Sequence, residues 1–455
     1  MLVVSLALFM ETLDATIINT AIPVIARDLL ANPLDLKITL IAYWLSLAIF
    51  MPASGWLADR FGMKHVFISG IFIFTLSSLS CGFAHHLSSL VVSRTFQGIG
   101  GAFIVPVGRL IVLRTFALHE FVDAMNKVIM VVALGFIMGP ILGGFITHYV
   151  SWQWIFWINI PVGLFTMLMA SYFLKPPSLQ AAPPFDFLGF IFLGSCIGGF
   201  IFAFSALSET ALSNKQPAWM IMFASLLLLL AFFYHAKKRG SSLIKVELFF
   251  SRIFLIAIQG SLLSQLGFGS VLFLFPLLAQ IGLGYSSQAS GLLLAPAAIG
   301  FIAARPVASL LLRYSGFKRL LILNTLLVSS SLWTFMFITK DTSISMIVLS
   351  LFLFGFLISI QYSAMNSLAY VEISEDNISY AASIVSTIQQ LAQSLGVATT
   401  TLFIQMFASS VPKNLLTMNV FHHTFLTMGI ITLISTLNFM RLKSNDGLSL
   451  LITPK

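Results

Sequence analysis

A chain of 455 residues that is 58% hydrophobic and only 9% charged is too apolar for a water-soluble domain, in which about a quarter of the residues are charged. A net charge of +9 would suggest a nucleic-acid partner in a soluble protein, but here the basic residues cluster between apolar runs and report membrane topology. The two cysteines both sit in apolar segments, which argues against a disulfide framework or a metal site. The composition therefore predicts an all-α polytopic membrane protein.

Apolar runs of about 20 residues or more, without the alternating pattern of a membrane barrel, predict membrane-spanning helices. Seventeen of the 24 Lys and Arg residues fall in connections that are cytoplasmic if Met1 is cytoplasmic, and only five fall in the opposite connections. Both termini are therefore expected inside. The fourteen predicted spans are residues 2–26, 38–58, 65–84, 88–112, 124–147, 154–174, 187–207, 217–235, 252–280, 288–312, 317–339, 344–368, 379–408 and 421–440.

Spans seven and eight are flanked by the two least ordinary connections, at 175–186 and 235–252. Removing this pair leaves six spans on each side, the count of a transporter made from two similar halves. The hairpins PASGWLADRFGMKHV at 52–66 and RPVASLLLRYSGFKRLL at 305–321 support an internal repeat. We predict an N-terminal six-helix half at 1–174, two inserted helices with their loops at 175–251, a C-terminal six-helix half at 252–440 and a cytoplasmic tail at 441–455.

The first span carries two carboxylates, Glu11 and Asp14, which share one helical face because they are three residues apart. They are the only acidic residues well inside an apolar run. A charge in the membrane costs about 2.5–3.5 kcal/mol on insertion scales, so such residues usually line a cavity, a substrate path or a proton relay. Arg94 in span four is expected at a similar depth. It would form either a proton-coupled switch with these acids or a static ion pair.

Two further segments have a physical reading of their own. In GWLADRFGMKH, Gly55 and Gly62 permit a tight hairpin, and Asp59 lies between the basic Arg60 and Lys64 and the apolar span. This charge cluster can act as a latch between two states, or it can simply hold the loop inside.

In GFIMGPILGG of span five, small residues let helices pack closely, and a proline bends the span. The residues that form this stripe are Gly135, Gly139, Pro140, Gly143 and Gly144.

These segments, with LDATIINTAIP at 13–23, SRTFQGIGGAF at 93–103 and WQWIFWINIP at 152–161, resemble the major facilitator superfamily and its fourteen-span drug:proton antiporters. Within that branch, PASGWLAD and PVGRL are similar to the multidrug resistance transporter D type. The resemblance implies two six-helix halves plus two inserted helices. It also implies that the loop at 55–66 steadies one access state, with Glu120 or Asp123 as partners, and that the glycine stripe shapes the cavity and limits leak.

Uncharged polar side chains inside the spans are candidates for cavity lining, or for hydrogen bonds between helices. In the N-terminal half they are Asn19, Gln97 and Asn159, and in the C-terminal half Gln259, Gln265, Gln361, Gln389 and Gln393. Arg305 also lies inside a span, next to Pro306, and is assigned a structural role.

The expected function is proton-coupled export of small, amphipathic compounds by alternating access, with Asp14 and Glu11 as proton carriers and Arg94 as their electrostatic partner. The alternative is dedicated export of a metabolite such as a siderophore or a small polycarboxylate. No G-x-x-x-x-G-K-[ST] string occurs, so the energy source is a proton gradient and no cofactor is expected. Catalytic residues, a metal site, ATP and nucleic acid are not expected either. The expected location is the bacterial inner membrane, with a periplasmic adaptor and an outer-membrane channel as candidate partners.

Overall fold

The computed structural model describes residues 1–115, 118–174, 184–208, 215–238, 245–373, 377–409 and 416–447, and the regular elements in these ranges are helices. In chain order the α-helices are α1 (Leu2–Asp28), α2 (Lys37–Phe61), α3 (Met63–Gly82), α4 (Leu87–Thr115), α5 (Leu118–Tyr149), α6 (Trp154–Trp157), α7 (Asn159–Phe173), α8 (Phe187–Ser208), α9 (Gln216–Lys238), α10 (Arg252–Leu277), α11 (Ser287–Thr334), α12 (Ile344–Ala369), α13 (Ile378–Ala408) and α14 (Met418–Met440). Short turns of 3₁₀- or π-helix occur at Val246–Phe250, Leu278–Gly282 and Phe335–Phe337.

Thirteen helical segments in the described ranges are long and apolar enough to cross a membrane. One of them, Ser287–Phe337, has 51 residues. Its length of roughly 76 Å is more than twice the ~30 Å of a hydrocarbon core. Its helical path is broken at Gly316, where φ is 69° and ψ is 168°. It therefore makes two crossings, which gives the fourteen predicted, and the all-α polytopic class is confirmed.

The same backbone turn occurs in the hairpin of the first half. Gly62 has φ 87° and separates α2 from α3, as Gly316 separates the two parts of α11. Each glycine follows a proline by ten residues, Pro52 or Pro306, and a positive φ is strained for residues with a side chain. The internal repeat seen in the sequence is therefore also a repeat of backbone geometry.

The chain divides into two compact units. The first contains Met1–Gly199, Ala224–Leu243 and Tyr285–Leu292, and the second contains Phe200–Phe223, Ile244–Gly284 and Leu293–Lys455. The division passes through α8 and α9, so each unit holds part of both inserted helices. The domain boundaries drawn from the sequence, and a separate status for the inserted pair, stay predictions.

Within the first unit, glycines of α4 bring three helices into close contact. A side chain at Gly98 would collide with the backbone of Tyr43 in α2, and one at Gly100 would lie 2.6 Å from the backbone nitrogen of Phe74 in α3. Only hydrogen fits at these positions, which lie one turn beyond Arg94 on the same helix. This packing fixes how far the side chains of α4 reach toward α1.

Candidate functional site

Asp14 is the centre of a buried polar cluster in the first unit. Arg94 of α4 donates from Nη1 to Asp14 Oδ2 over 2.6 Å. Gln97, one helical turn later, donates from Nε2 to Asp14 Oδ1 over 2.8 Å, and Asn159 of α7 donates to the same oxygen over 2.7 Å. Both carboxylate oxygens of Asp14 therefore have donors, and both side chains of the ion pair are fully buried.

The cluster is closed by bonds among the donors themselves. Arg94 Nη1 also donates to Gln97 Oε1 over 2.6 Å, and Gln97 Nε2 donates to Ser78 Oγ of α3 over 2.6 Å. The thiol of Cys81 donates to Gln97 Oε1 over 3.7 Å. Four crossings, made by α1, α3, α4 and α7, thus meet at one carboxylate.

Aromatic rings cover the guanidinium of Arg94. Its central carbon lies 4.2 Å from the ring centroid of Tyr43 and 5.8 Å from that of Phe156. Within the described part of the chain, Nε and Nη2 of Arg94 have no hydrogen-bond partner, and neither does Oδ1 of Asn159. A buried cation that depends on a single carboxylate is sensitive to that carboxylate's charge, because little water is present to screen a change.

Glu11 is bonded by different groups, one helical turn from Asp14. The hydroxyl of Tyr43 donates to Glu11 Oε1 over 3.0 Å, and that of Thr12 donates to Oε2 over 3.4 Å. Both donors are neutral, whereas Asp14 is bonded by a cation. Tyr43 therefore links the two acids. Its hydroxyl bonds Glu11, and its ring packs on Arg94, the partner of Asp14.

The structure thus brings Asp14 together with Arg94, which was expected at a similar depth. It adds Gln97 and Asn159, which were candidates for cavity lining or for hydrogen bonds between helices. Asn19 does not join them in any described contact. It is buried and donates to the carbonyl of Thr16, one turn back on α1, over 3.2 Å. The sequence reading missed four contributors, namely Tyr43, Ser78, Cys81 and Phe156.

At the C-terminal end of α2, the bonds of the charged hairpin differ from those of the expected cluster. Asp59 pairs with Arg114 of α4 over 3.0 Å, at the surface. Lys64 donates to the carbonyls of Ser171 and Leu174, over 2.6 and 2.9 Å. The side chains of Glu120 and Asp123 lie outside the described residues, so their pairing with this loop stays a prediction. Arg60 is exposed, and no atom lies within 4 Å of a methyl group built on Gly55.

The glycine stripe of α5 packs against α1. A methyl group at Gly135 would lie 2.9 Å from the carbonyl oxygen of Phe9. Methyl groups at Gly139 and Gly143 would collide with Thr16 and with the backbone of Ile17. Next to this stripe, Thr20 donates to the carbonyl of Pro140 over 3.5 Å, and Gly144 faces the carbonyl of Ser287. The stripe therefore presses α5 onto the helix that carries both acids.

In the second unit, the predicted amides bond to one another and to helix carbonyls. Asn324 donates to Gln361 over 2.8 Å, and Gln361 donates to Thr325 over 2.9 Å. Tyr362 donates to Gln389 over 3.0 Å, and Gln389 donates to Asn366 over 3.0 Å.

The remaining amides of this unit lie apart from that network in the described contacts. Gln265 donates to Ser261 over 2.9 Å, and Gln259 accepts a bond of 3.1 Å from Arg441. Gln393 is half-buried on α13.

Comparison with known proteins relates this chain to a family of transporters. The profile of the Major Facilitator Superfamily matches residues 4–397. The chain is 35% identical to a multidrug resistance protein MdtD of Pectobacterium carotovorum, over 97% of this chain and 95% of that protein. It is 33% identical to the transport protein HsrA of Haemophilus influenzae, over 98% of this chain and 96% of that protein.

Solved structures agree in fold at low sequence identity. A partially occluded, inward-open xylose transporter XylE from E. coli matches with a TM-score of 0.65 and 14% identity, over 96% of this chain and 95% of that chain. A proton-dependent oligopeptide transporter matches with a TM-score of 0.70 and 16% identity, over 99% of both chains.

Proposed function

Since this chain belongs to the major facilitator superfamily, whose members are transporters and not enzymes, we propose that it exports small, amphipathic compounds in exchange for protons by alternating access. The observation that carries this proposal is the fully buried ion pair of Asp14 and Arg94. An ionisable pair inside the membrane is the group that a proton can switch between charged and neutral. Drug efflux is preferred over dedicated export of a siderophore or a small polycarboxylate, because relatives that match nearly the whole chain are named for multidrug resistance.

The coupling step follows from the bonds to Asp14. When Asp14 is ionised, it attracts Arg94 in a medium that screens charge weakly, and α1 is held to α4. When Asp14 takes up a proton, this attraction is lost and Arg94 is left as an unpaired buried cation. Protonation thus changes the relative free energy of any two arrangements in which α1 and α4 sit differently.

Glu11 is proposed as a second proton carrier. Its partners, Tyr43 and Thr12, are neutral hydroxyls, so losing its charge leaves no cation unpaired. We therefore assign the larger share of the coupling to Asp14, and expect Glu11→Gln to have a milder or substrate-dependent effect.

Two other segments would control the access states. The exposed pair of Asp59 and Arg114 joins the inner ends of α2 and α4, and would stabilise one state as a latch. The contact of Gly139 and Gly143 with α1 would keep the cavity wall tight against leak while the helices move together.

The proposal also covers the location of the protein, its energy source and its partners. The protein would lie in the bacterial inner membrane with both termini in the cytoplasm, as the distribution of Lys and Arg favours. It would draw its energy from the proton gradient, with no cofactor and no ATP. In a two-membrane envelope, a periplasmic adaptor and an outer-membrane channel would carry the exported compound further.

The test uses Asp14→Asn, which keeps the shape of the side chain but cannot carry a proton. In everted vesicles with an imposed pH gradient, this variant should lose ethidium transport completely. Asp35→Asn, the same change at an exposed residue of an outer connection, is the matched control and should transport normally. Wild-type rates in folded Asp14→Asn would refute the role of Asp14 as a proton carrier.

A further inference from the structure

Two arginines, Arg94 and Arg305, lie at least six residues from either end of a predicted span, and they differ in their partners. Arg94 is bonded to Asp14, whereas Arg305 of α11 has no hydrogen bond and no ion pair with the described residues. The spans of the C-terminal half contain no Asp or Glu at all, because its acids lie in the connections: Asp341, Glu372, Glu375 and Asp376. Among the residues that the structure describes, Arg305 is thus a cation without a carboxylate partner from its own half.

The surroundings of Arg305 are apolar and aromatic on one side. Its guanidinium carbon lies 5.8 Å from the ring centroid of Phe301, and the ring of Tyr362 lies 6.1 Å from that of Phe301. The residue as a whole is half-buried and is not fully enclosed by the protein. From Tyr362 a chain of hydrogen bonds continues through Gln389 to Asn366. Asn366 borders a cavity of about 10 Å³, enough for one water molecule.

Comparison of the two repeated hairpins tests whether Arg305 has the structural role first assigned to it. Aligning the two hairpins on Gly62 and Gly316 places Met51 at the position of Arg305. Met51 is fully buried, with 1% exposure. The repeated backbone is therefore formed in the first half with an apolar side chain, and the hairpin itself does not require a charge at this position.

The two acids of these connections that the structure describes, Asp341 and Glu372, form no hydrogen bond or ion pair with Arg305. Glu372 accepts a hydrogen bond of 2.9 Å from Ser251. Glu375 and Asp376 lie outside the described residues. Arg305 lies beside Phe301 of α11, whose ring contacts that of Tyr362 in α12. These neighbours belong to the membrane part of the two helices.

We propose that Arg305 binds the carboxylate of an amphipathic organic acid, whose apolar body packs on Phe301 and Tyr362. A guanidinium presents several N–H donors in one plane and can bind a carboxylate with two parallel bonds. Nearby rings exclude water and strengthen that attraction. This inference rests on the proposed export function and narrows it, since it places small apolar carboxylates among the compounds that are exported.

The test measures binding rather than transport, so that it does not depend on proton coupling. The purified full-length protein is placed in nanodiscs of neutral phosphatidylcholine, and the Kd is measured for 2-naphthoate and for its uncharged amide, 2-naphthamide. Wild-type protein should bind naphthoate at least tenfold more tightly. Arg305→Gln should remove this preference by weakening naphthoate alone, and Arg305→Lys should keep part of it.

Three controls separate the alternatives. Lys340→Gln removes an exposed positive charge outside the spans and should leave both constants unchanged. Asp14→Asn should keep the preference for naphthoate over naphthamide although it does not transport, so that failure of the binding site and failure of the proposed function are distinguishable. Tyr362→Phe should weaken both ligands to the same small extent.

Three results would overturn the proposal. Equal affinity of the wild-type protein for the acid and the amide would show that no carboxylate is recognised. An equal loss of both ligands in Arg305→Gln and Arg305→Lys would return Arg305 to a structural role. If adding phosphatidylglycerol to the nanodisc abolishes naphthoate binding to the wild-type protein, Arg305 is a site for a lipid phosphate instead.

Discussion

Asp14 and Arg94 meet in the membrane part of the first unit, whereas Asn324 and Gln361 form a buried polar contact in the second. Both contacts are short and both join neighbouring helices. Only the first can change its charge, because amides neither gain nor lose a proton in the physiological range. The two units share a hairpin with a positive-φ glycine, but these two polar contacts differ in their side-chain chemistry.

This contrast suggests a division of labour. A switchable ion pair makes the packing of α1 against α4 depend on protonation, while a satisfied amide network holds its helices in the same way at every pH. Arg305, the charged residue deepest inside the predicted spans of the second unit, has no carboxylate partner among the described residues. Energy coupling would thus belong to the first unit, and recognition of a charged ligand to the second.

Removing Arg94 gives the largest expected effect. Arg94→Ala leaves the Asp14 carboxylate buried and unpaired, which should destabilise the protein by about 3–5 kcal/mol. Adding Asp14→Asn removes the second charge and should restore most of that stability, but not transport. The midpoint of thermal unfolding in detergent measures the first effect, and vesicle transport measures the second.

Arg305→Ala is the matched comparison in the other unit. No internal carboxylate depends on Arg305, so this change should cost about 1 kcal/mol or less. Equal destabilisation by Arg94→Ala and Arg305→Ala would remove the contrast between the two units.

Tyr43→Phe tests whether the two acids of α1 act together. The ring over Arg94 is kept, but Glu11 loses a donor, which should cost about 1–3 kcal/mol for a buried acceptor. Proton release on adding substrate to purified protein should fall, and the loss should not add to that of Glu11→Gln, since Glu11→Gln already removes the titrating group that Tyr43 bonds. Tyr362→Phe in the second unit should leave proton release intact. If the losses of proton release in Tyr43→Phe and Glu11→Gln are strictly additive, Tyr43 does not act through Glu11.

Depth along the spans explains what the sequence could predict. Counting residues from the membrane surface brought Arg94 to the level of Asp14, and the structure bonds them. The same count places Tyr43 in span two and Ser78 in span three near that level, but a lone Tyr or Ser in an apolar run gives no sign of which neighbour it faces. Periodicity in these helices is weak because most faces are apolar, toward lipid as well as toward protein.

The hairpin at Gly62 shows a different limit. Lys64 bonds backbone carbonyls of Ser171 and Leu174, more than a hundred residues away, and every helix end presents such acceptors. No feature of the residue types marks these two. Arg114 was recognised as an inner basic residue, but its choice of Asp59 depends on how α2 and α4 cross. Long-range pairing of this kind follows from packing, which one sequence does not specify by pattern.

Close packing in the first unit predicts that its glycines differ in how well they tolerate replacement by alanine. Gly139→Ala introduces a methyl group that collides with Thr16, so α5 must move away from α1 at a cost of about 1–3 kcal/mol. Gly55→Ala meets no atom within 4 Å and should be neutral or slightly stabilising, because Ala favours helix by about 1 kcal/mol over Gly. Thermal unfolding of both variants decides this. Equal behaviour would mean that α5 is not held to α1 by this stripe.

The smallest expected effect compares two Asp–Arg pairs of the first unit. Asp59 and Arg114 are 39% and 35% exposed, whereas Asp14 and Arg94 are fully buried. An exposed pair contributes about 0–1 kcal/mol and is screened at high salt. Asp59→Asn should therefore barely change the unfolding midpoint, and the change should vanish near 1 M salt.

Transport should respond more than stability does, because a latch worth less than 1 kcal/mol can still shift an equilibrium between access states by severalfold. Asp14→Asn should show no such salt dependence, since its pair lies out of reach of ions. A loss above about 2 kcal/mol in Asp59→Asn would make the hairpin a structural clamp rather than a latch.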